Sequence, residues 1–421
     1  MKLDLKAKLA DPKNRILFLC CSGIAFSWIP WFNYSAVLPI LKEEFSLTSA
    51  EAGKIMGGFQ LGYVLTVLIT GVIADKIGKK PILVISSLIT GVASIAFALF
   101  AKDYFSALIL RVLIGMGCGG VYAPGLALLS SWFSPRARGM AFGAYTGSSV
   151  FSYALGYFLT APIAAVGGWQ KGILFTSYPV FIAVLFFGLV KEPLTSDSSR
   201  IEDSPLMSVK NIQLVPLILI TIAYMAHMWE QFAFWGWVGP YLSAAGVTHG
   251  MGKEEALTIG GLIASITIMM GVFSPFIGGK ISDKLGRTFT AAFFSILSAI
   301  CSFIFGWLII KPFNTIVVAS LIYGFFVVAD SAIYKAGLSE MVPSTFLTSA
   351  LAIQSAAGFG AAIISPGIFG IILDFTNTSS SIQIPWGWAF VSLGIGSLIS
   401  PICLSILRSH PHSTAMTSGK R

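Results

Sequence analysis

The sequence predicts an all-α integral membrane protein, with twelve transmembrane helices in two pseudo-symmetric six-helix bundles. Three observations predict it: an apolar composition, twelve apolar runs of spanning length, and one loop pattern that occurs twice. Of 421 residues, 55% are hydrophobic and 11% are charged. Soluble domains carry about 25% charged residues. A surface this poor in charge is stable against lipid, and a mean hydropathy of +0.83 agrees.

A helix needs roughly 20 mostly apolar residues to cross the hydrocarbon core. Such runs occupy 15–41, 52–74, 81–101, 104–133, 138–165 and 168–190, then 213–243, 257–279, 289–310, 314–337, 345–373 and 386–407. They are long and lack period-two alternation, so helices are expected rather than barrel strands. The basic start followed by apolar residues from Ile16 shows no small-residue cleavage site after a short core, and reads as a first span rather than a removed signal. The polar stretch 191–212 reads as a cytoplasmic linker. It divides an N-terminal six-helix bundle (1–190) from a C-terminal one (213–408), with a cytoplasmic tail over 409–421.

The repeated pattern is G-x-x-x-D-K-x-G followed by a basic residue. It runs from Gly71 through Asp75, Lys76 and Gly78 to Lys79, and again from Gly279 through Asp283, Lys284 and Gly286 to Arg287. Asp75 and Asp283 are 208 positions apart, about half the chain, and each copy lies between the second and third spans of its half. Two matches at equivalent places point to an internal repeat.

The net charge of +9 does not indicate nucleic acid, because the basic residues sit in short segments between apolar runs instead of forming one basic face. They set orientation instead. Nineteen Lys and Arg fall on the side of the termini and linker and six on the other, with Arg111 and Lys335 inside spans. The expected location is the cell membrane, multi-pass, with both termini cytoplasmic. The five cysteines lie in or beside apolar runs without metal-ligand spacing, so no metal site and no disulfide frame is expected.

With these features the chain resembles the major facilitator superfamily of secondary transporters over nearly its whole length. The 71–80 loop is similar to the family's hallmark loop, and 279–287 to its weaker second copy. Arg111, Gly115 and Gly117 resemble the R-x-x-x-G-x-G motif of span 4, and Ser134–Gly139 the basic loop leading into span 5. Span 5 carries Gly143, Gly147 and Gly156 without the full Gly-Pro motif of drug–proton antiporters. The sugar-porter signatures after spans 6 and 12 are missing, and spans 2 and 8 lack the arginine of nitrate carriers. The resemblance implies two bundles rocking about a central cavity lined by spans 1, 4, 7 and 10. It also implies a conformational latch made by Gly71, Asp75, Lys76, Gly78 and Lys79, by Asp283, Lys284 and Arg287, and by the basic partners Arg136 and Arg138. The competing reading is that these lysines only fix topology.

Ionisable groups inside spans cost about 2.5–3.5 kcal/mol each on insertion scales and therefore mark function. They are Arg111 in span 4, His227 and Glu230 in span 7, and Asp330 and Lys335 in span 10. Arg111 stays charged and needs a carboxylate, backbone carbonyls or an anionic solute; a packing role competes with solute contact. His227 and Glu230, three apart, share a helix face and form a candidate proton-coupling pair, against a purely structural polar pair. Asp330 could neutralise His227 or Lys335, carry a proton or bind a cation, whereas Lys335 could snorkel to the cytoplasmic surface. Asn33, Tyr34, Tyr122, Gln231, Trp235, Tyr334 and Gln354 complete the candidate solute contacts, although most spanning aromatics serve packing.

No nucleophile–base set, phosphate loop or metal cluster stands out, so neither an enzyme nor a cofactor is expected. The expected function is secondary transport of a small solute by alternating access, coupled to protons and leaning to an organic anion. A drug or organic-cation antiporter and a non-transporting solute sensor are the alternatives. Lipid is the expected surroundings, a monomer the expected state, and nucleic acid is not an expected partner.

Overall fold

A computed structural model describes residues 11–192, 213–343, 347–377 and 381–419; most of the 191–212 linker lies outside them. Among these residues twelve helices are long and apolar enough to cross a membrane. Spans 1 to 6 are Pro12–Glu44, Ser49–Thr70, Lys79–Phe100, Tyr104–Trp132, Ala137–Gly167 and Trp169–Gly188. Spans 7 to 12 are Leu214–Thr248, Lys253–Leu285, Arg287–Ile310, Phe313–Met341, Ser349–Thr376 and Gln383–Ser409. Each begins and ends within a few residues of the run expected for it, because span length is written locally in the sequence. Large side chains such as Leu99, Phe105, Leu185, Phe276 and Phe375 are exposed on the outside of the spans. In water such a surface would drive aggregation; in a bilayer it faces acyl chains.

The chain divides into two compact units: residues 1–46 with 58–196, and 47–57 with 197–421. In the first, span 1 packs on spans 5 and 6, and span 3 on spans 4 and 6. In the second, span 7 packs on spans 8, 11 and 12, span 8 on span 10, and span 9 on span 12.

Among the described residues five spans are divided near their middles: span 6 at Tyr178, span 12 at Leu398, and three more. Span 1 is interrupted between Ser27 and Pro30, where proline removes a donor. Span 4 stops at Gly119 and restarts at Tyr122. Span 10 turns at Asp330. Breaks free backbone carbonyls inside a membrane, where each must find a donor. The Trp28 indole N–H donates to the Cys118 carbonyl (3.1 Å), and the Tyr145 hydroxyl donates to the Val121 carbonyl (2.9 Å). Span 4 itself starts well: Asp103 caps its first turn, and the Ser106 N–H and hydroxyl hold that carboxyl below the usual carboxylate range. The cap is fully formed above the ordinary carboxylate range and is lost as pH falls through the depressed value.

The repeat is visible in the backbone. Gly78 (φ 96°, ψ 156°) and Gly286 (φ 98°, ψ 153°) begin spans 3 and 9 in one conformation that only glycine adopts readily. Small residues let spans 2 and 4 meet backbone to backbone: a Cβ on Gly115 would lie 2.0 Å from the Phe59 carbonyl oxygen. Gly324 on Thr267 makes the equivalent contact between spans 10 and 8. Gly117, two residues from Gly115, faces span 3 at Thr90, which explains the G-x-G spacing: each glycine serves a different neighbour.

In the second hallmark loop the closely packed glycine is Gly278, whose added Cβ would meet the Ala329 carbonyl oxygen at 1.9 Å, while Gly279 has open space. Gly278→Ala is therefore expected to destabilise by about 1–3 kcal/mol, the usual range for overpacking. Gly279→Ala should leave the unfolding temperature in detergent unchanged, and equal effects from the two variants would refute the assignment.

Candidate functional site

In the first unit the site is built around Arg111. The motif places it two turns into span 4, and the start of the second helix of span 1 supplies its partners. Its two terminal nitrogens donate to the Pro30 and Trp31 carbonyls, both at 2.8 Å. The guanidinium also lies over the rings of Phe59 (4.5 Å) and Tyr34 (5.3 Å). Arg111 is 2% exposed, no carboxylate meets it among the described residues, and its Nε has no acceptor. Of the three partners open to it from the sequence, the structure supplies the carbonyls. A buried cation neutralised only by dipoles keeps most of its positive field for whatever anion approaches.

The other candidates of this unit divide. Tyr34 is buried under the guanidinium. Asn33 is spent on packing, its amide donating to Thr176 of span 6 at 3.3 Å. Tyr122 is half-buried at the span 4 break, hydrogen-bonded to Thr146 (2.8 Å) and stacked between Trp28 and Tyr145.

In the second unit the expected His227–Glu230 pair is not formed. The side chains share a helix face but take different partners. His227 Nδ1 lies 2.9 Å from Asp330 Oδ1, close enough for an ion pair but not aligned as a linear hydrogen bond. The Tyr334 hydroxyl donates to Asp330 Oδ2 and bonds Ser400, each at 2.7 Å. The rings of Tyr224 and Tyr334 flank the imidazole, whose Nε2 is buried without a partner. Asp330 thus pairs with His227, the first of the roles open to it from the sequence, while the Lys335 amine sits 5.9 Å over the Tyr224 ring.

Glu230 takes hydroxyls instead. Ser302 and Tyr323 donate to its Oε1 at 2.8 and 2.9 Å and also contact one another. Ser298 and Ser397 approach the same carboxyl. Gln231 and Gln354 are buried, with amide atoms that meet no protein partner among the described residues. Trp235 is buried against Phe232 and Gly271.

Sequence reasoning missed Ser298, Ser302, Tyr323, Ser397 and Ser400. The signal was present: Ser295, Ser298 and Ser302 form a polar stripe at helical spacing inside an apolar span.

The latch residues are only partly brought together. Gly71 and the side chains of Asp75 and Arg136 lie outside what the structure describes. Lys76 and Lys284 are exposed, and Lys79 is half-buried. Arg138 donates to the Ser130 and Phe133 carbonyls, closing the end of span 4. The second copy forms a network in which Arg287 bridges Asp283 (2.5 Å) and Glu340 (2.8 Å). Glu340 was not anticipated. In the first unit Glu192 occupies the start of span 3, where the Lys80 N–H donates to its carboxylate.

The model of the Major Facilitator Superfamily matches residues 20–329 and 258–421. The chain belongs to this superfamily. A probable sulfoacetate transporter of Cupriavidus necator is 24% identical, covering 92% of this chain and 93% of that one. A hexuronate transporter of Bacillus subtilis is 25% identical, over 92% and 94%. The solved D-xylose–proton symporter shares the fold, with a TM-score of 0.75 at 17% identity over 95% of this chain and 98% of its own. The superfamily member described here is accordingly a multi-pass membrane transporter with twelve spanning helices.

Proposed function

We propose that this superfamily member moves a small organic anion across the cell membrane by alternating access, with both termini cytoplasmic and with protons as the coupling ion. The observation that carries the reading is Arg111: a permanent charge, buried, without a carboxylate partner among the described residues, and with a spare Nε donor. Such a group lowers the cost of bringing a carboxylate or sulfonate into an apolar site and raises the cost for a cation.

Sulfoacetate and hexuronate, the solutes named for the two relatives, are both small organic anions. A fork already holding carbonyls can exchange one of them for an anionic oxygen, gaining a charge-assisted bond that ties solute binding to the break in span 1. His227, Gln231, Tyr334 and Gln354 supply further polar contacts, and Glu230, Asp330 and His227 are the groups that handle protons.

Uptake of labelled sulfoacetate or hexuronate into proteoliposomes tests the reading. An outside-acid gradient is expected to raise the initial rate at least severalfold, and a protonophore to remove the gain. Outward movement of a lipophilic cation, or saturable binding with no flux, would replace this reading with an exporter or a sensor.

A further inference from the structure

We infer that the second unit keeps its two buried acids in opposite protonation states, Asp330 ionised against His227 and Glu230 carrying a proton inside a collar of hydroxyls. The inference deepens the proposed coupling by separating three residues that the sequence groups together.

Asp330 has what an anion needs. Its two oxygens face different donors, His227 Nδ1 and the Tyr334 hydroxyl. Since Tyr334 spends its single proton on Asp330, Ser400 must donate to Tyr334, so the chain of hydroxyls points toward the carboxylate.

Glu230 has hydroxyl donors but no basic partner among the described residues. It is 2% exposed in the middle of span 7. The titratable groups facing it from neighbouring spans are the Tyr323 phenol and the Cys301 thiol. His227, one turn away on its own helix, is held by Asp330. An uncompensated buried charge costs several kcal/mol even after relaxation.

Proton counting agrees. Glu230 Oε1, Ser302 Oγ and Tyr323 OH touch pairwise, making a triangle of three contacts. The two hydroxyls supply two protons. With both hydroxyls donating to an ionised Oε1, the Ser302–Tyr323 contact has no proton. A carboxyl proton given to Tyr323 frees the phenol to donate to Ser302, and all three sides become hydrogen bonds.

The collar also says how the proton leaves. Ser298 and Ser397 face the same carboxyl from spans 9 and 12, so the collar holds polar groups beyond the triangle. Deprotonation breaks the triangle and strands a charge, unless spans 9, 10 and 12 shift enough to admit water. Proton release is thereby tied to movement of helices, and Ser302 and Tyr323 are positioning residues for it.

Infrared difference spectroscopy on the purified protein in lipid reads this without any solute, so failure of the anion reading would leave it intact. At neutral pH in sodium-free buffer a buried carboxylic-acid C=O band is expected. It should be lost in Glu230→Gln and kept in Asp330→Asn. Isotope-labelled glutamate should shift it and labelled aspartate should not, which decides the assignment even if a variant fails to fold. No acid band at neutral pH, or a band that follows aspartate, overturns the inference. So does a band that sodium ions remove, since a metal cation would then be the neutralising partner.

Discussion

Replacing Arg111 with lysine is expected to slow uptake about 100-fold, nearly as much as removing the charge altogether. Arginine holds the Pro30 and Trp31 carbonyls with two nitrogens in a fixed fork. Lysine presents one compact charge at the end of a flexible chain and cannot hold both with the same geometry. Hydrogen bonds to charged groups contribute about 1.5–3 kcal/mol each, so losing one corresponds to roughly 10- to 150-fold in rate.

Arg111→Met separates charge from bulk. It fills similar space between Phe59 and Tyr34 but offers an anion nothing. The variant should fold, because a buried cation that has vanished no longer has to be solvated, while uptake falls to background. The measurements are initial rates in proteoliposomes alongside unfolding temperature. A methionine variant that transports normally would remove Arg111 from the solute path, and a fully active lysine variant would show that the fork is not needed.

Much of the fold was legible because lipid reduces the problem to length and polarity. Twenty apolar residues encode a span whatever packs around it, and the repeated hallmark loop brings Gly78 and Gly286 to one backbone conformation. The breaks in spans 4 and 10 were not legible, since each lies inside one run of spanning length, with no proline over Gly119–Tyr122 or Ala329–Ser331 to mark it. Their geometry is settled by neighbours such as Tyr145, whose hydroxyl donates to the Val121 carbonyl at the span 4 break.

At the site, sequence located the ionisable residues but not their partners. Helical periodicity put His227 and Glu230 on one face, and that much holds. Which of them meets Asp330 depends on how spans 9, 10 and 12 lie against span 7, and no spacing along one helix contains that. The same limit applied to the tight glycine: consecutive residues point about 100° apart, so Gly278 or Gly279 could have been the contact until span 10 was in place. Serines drew no assignment from the sequence, since singly they are common packing residues. Only their stripe on span 9, opposite a lone glutamate, gives them a role.

The His227–Asp330 pair predicts an ordering of stabilities as well as of rates. His227→Gln takes the cation from an ionised, buried Asp330, and breaking a buried pair this way costs about 3–5 kcal/mol. Asp330→Asn leaves an imidazole that can shed its proton and become neutral. The new amide can still accept the Tyr334 hydroxyl through its carbonyl oxygen, so the cost should be about 1 kcal/mol.

The double variant should unfold at a higher temperature than His227→Gln alone, although it carries one more substitution, because no stranded charge remains. Uptake should fall by about 100-fold or more in each single variant and no further in the double, as expected of residues acting as a unit. Losses that multiply in the double would make them independent contributors. A His227→Gln protein as stable as the parent would mean that Asp330 is already neutral, and the two buried acids would then no longer differ in protonation.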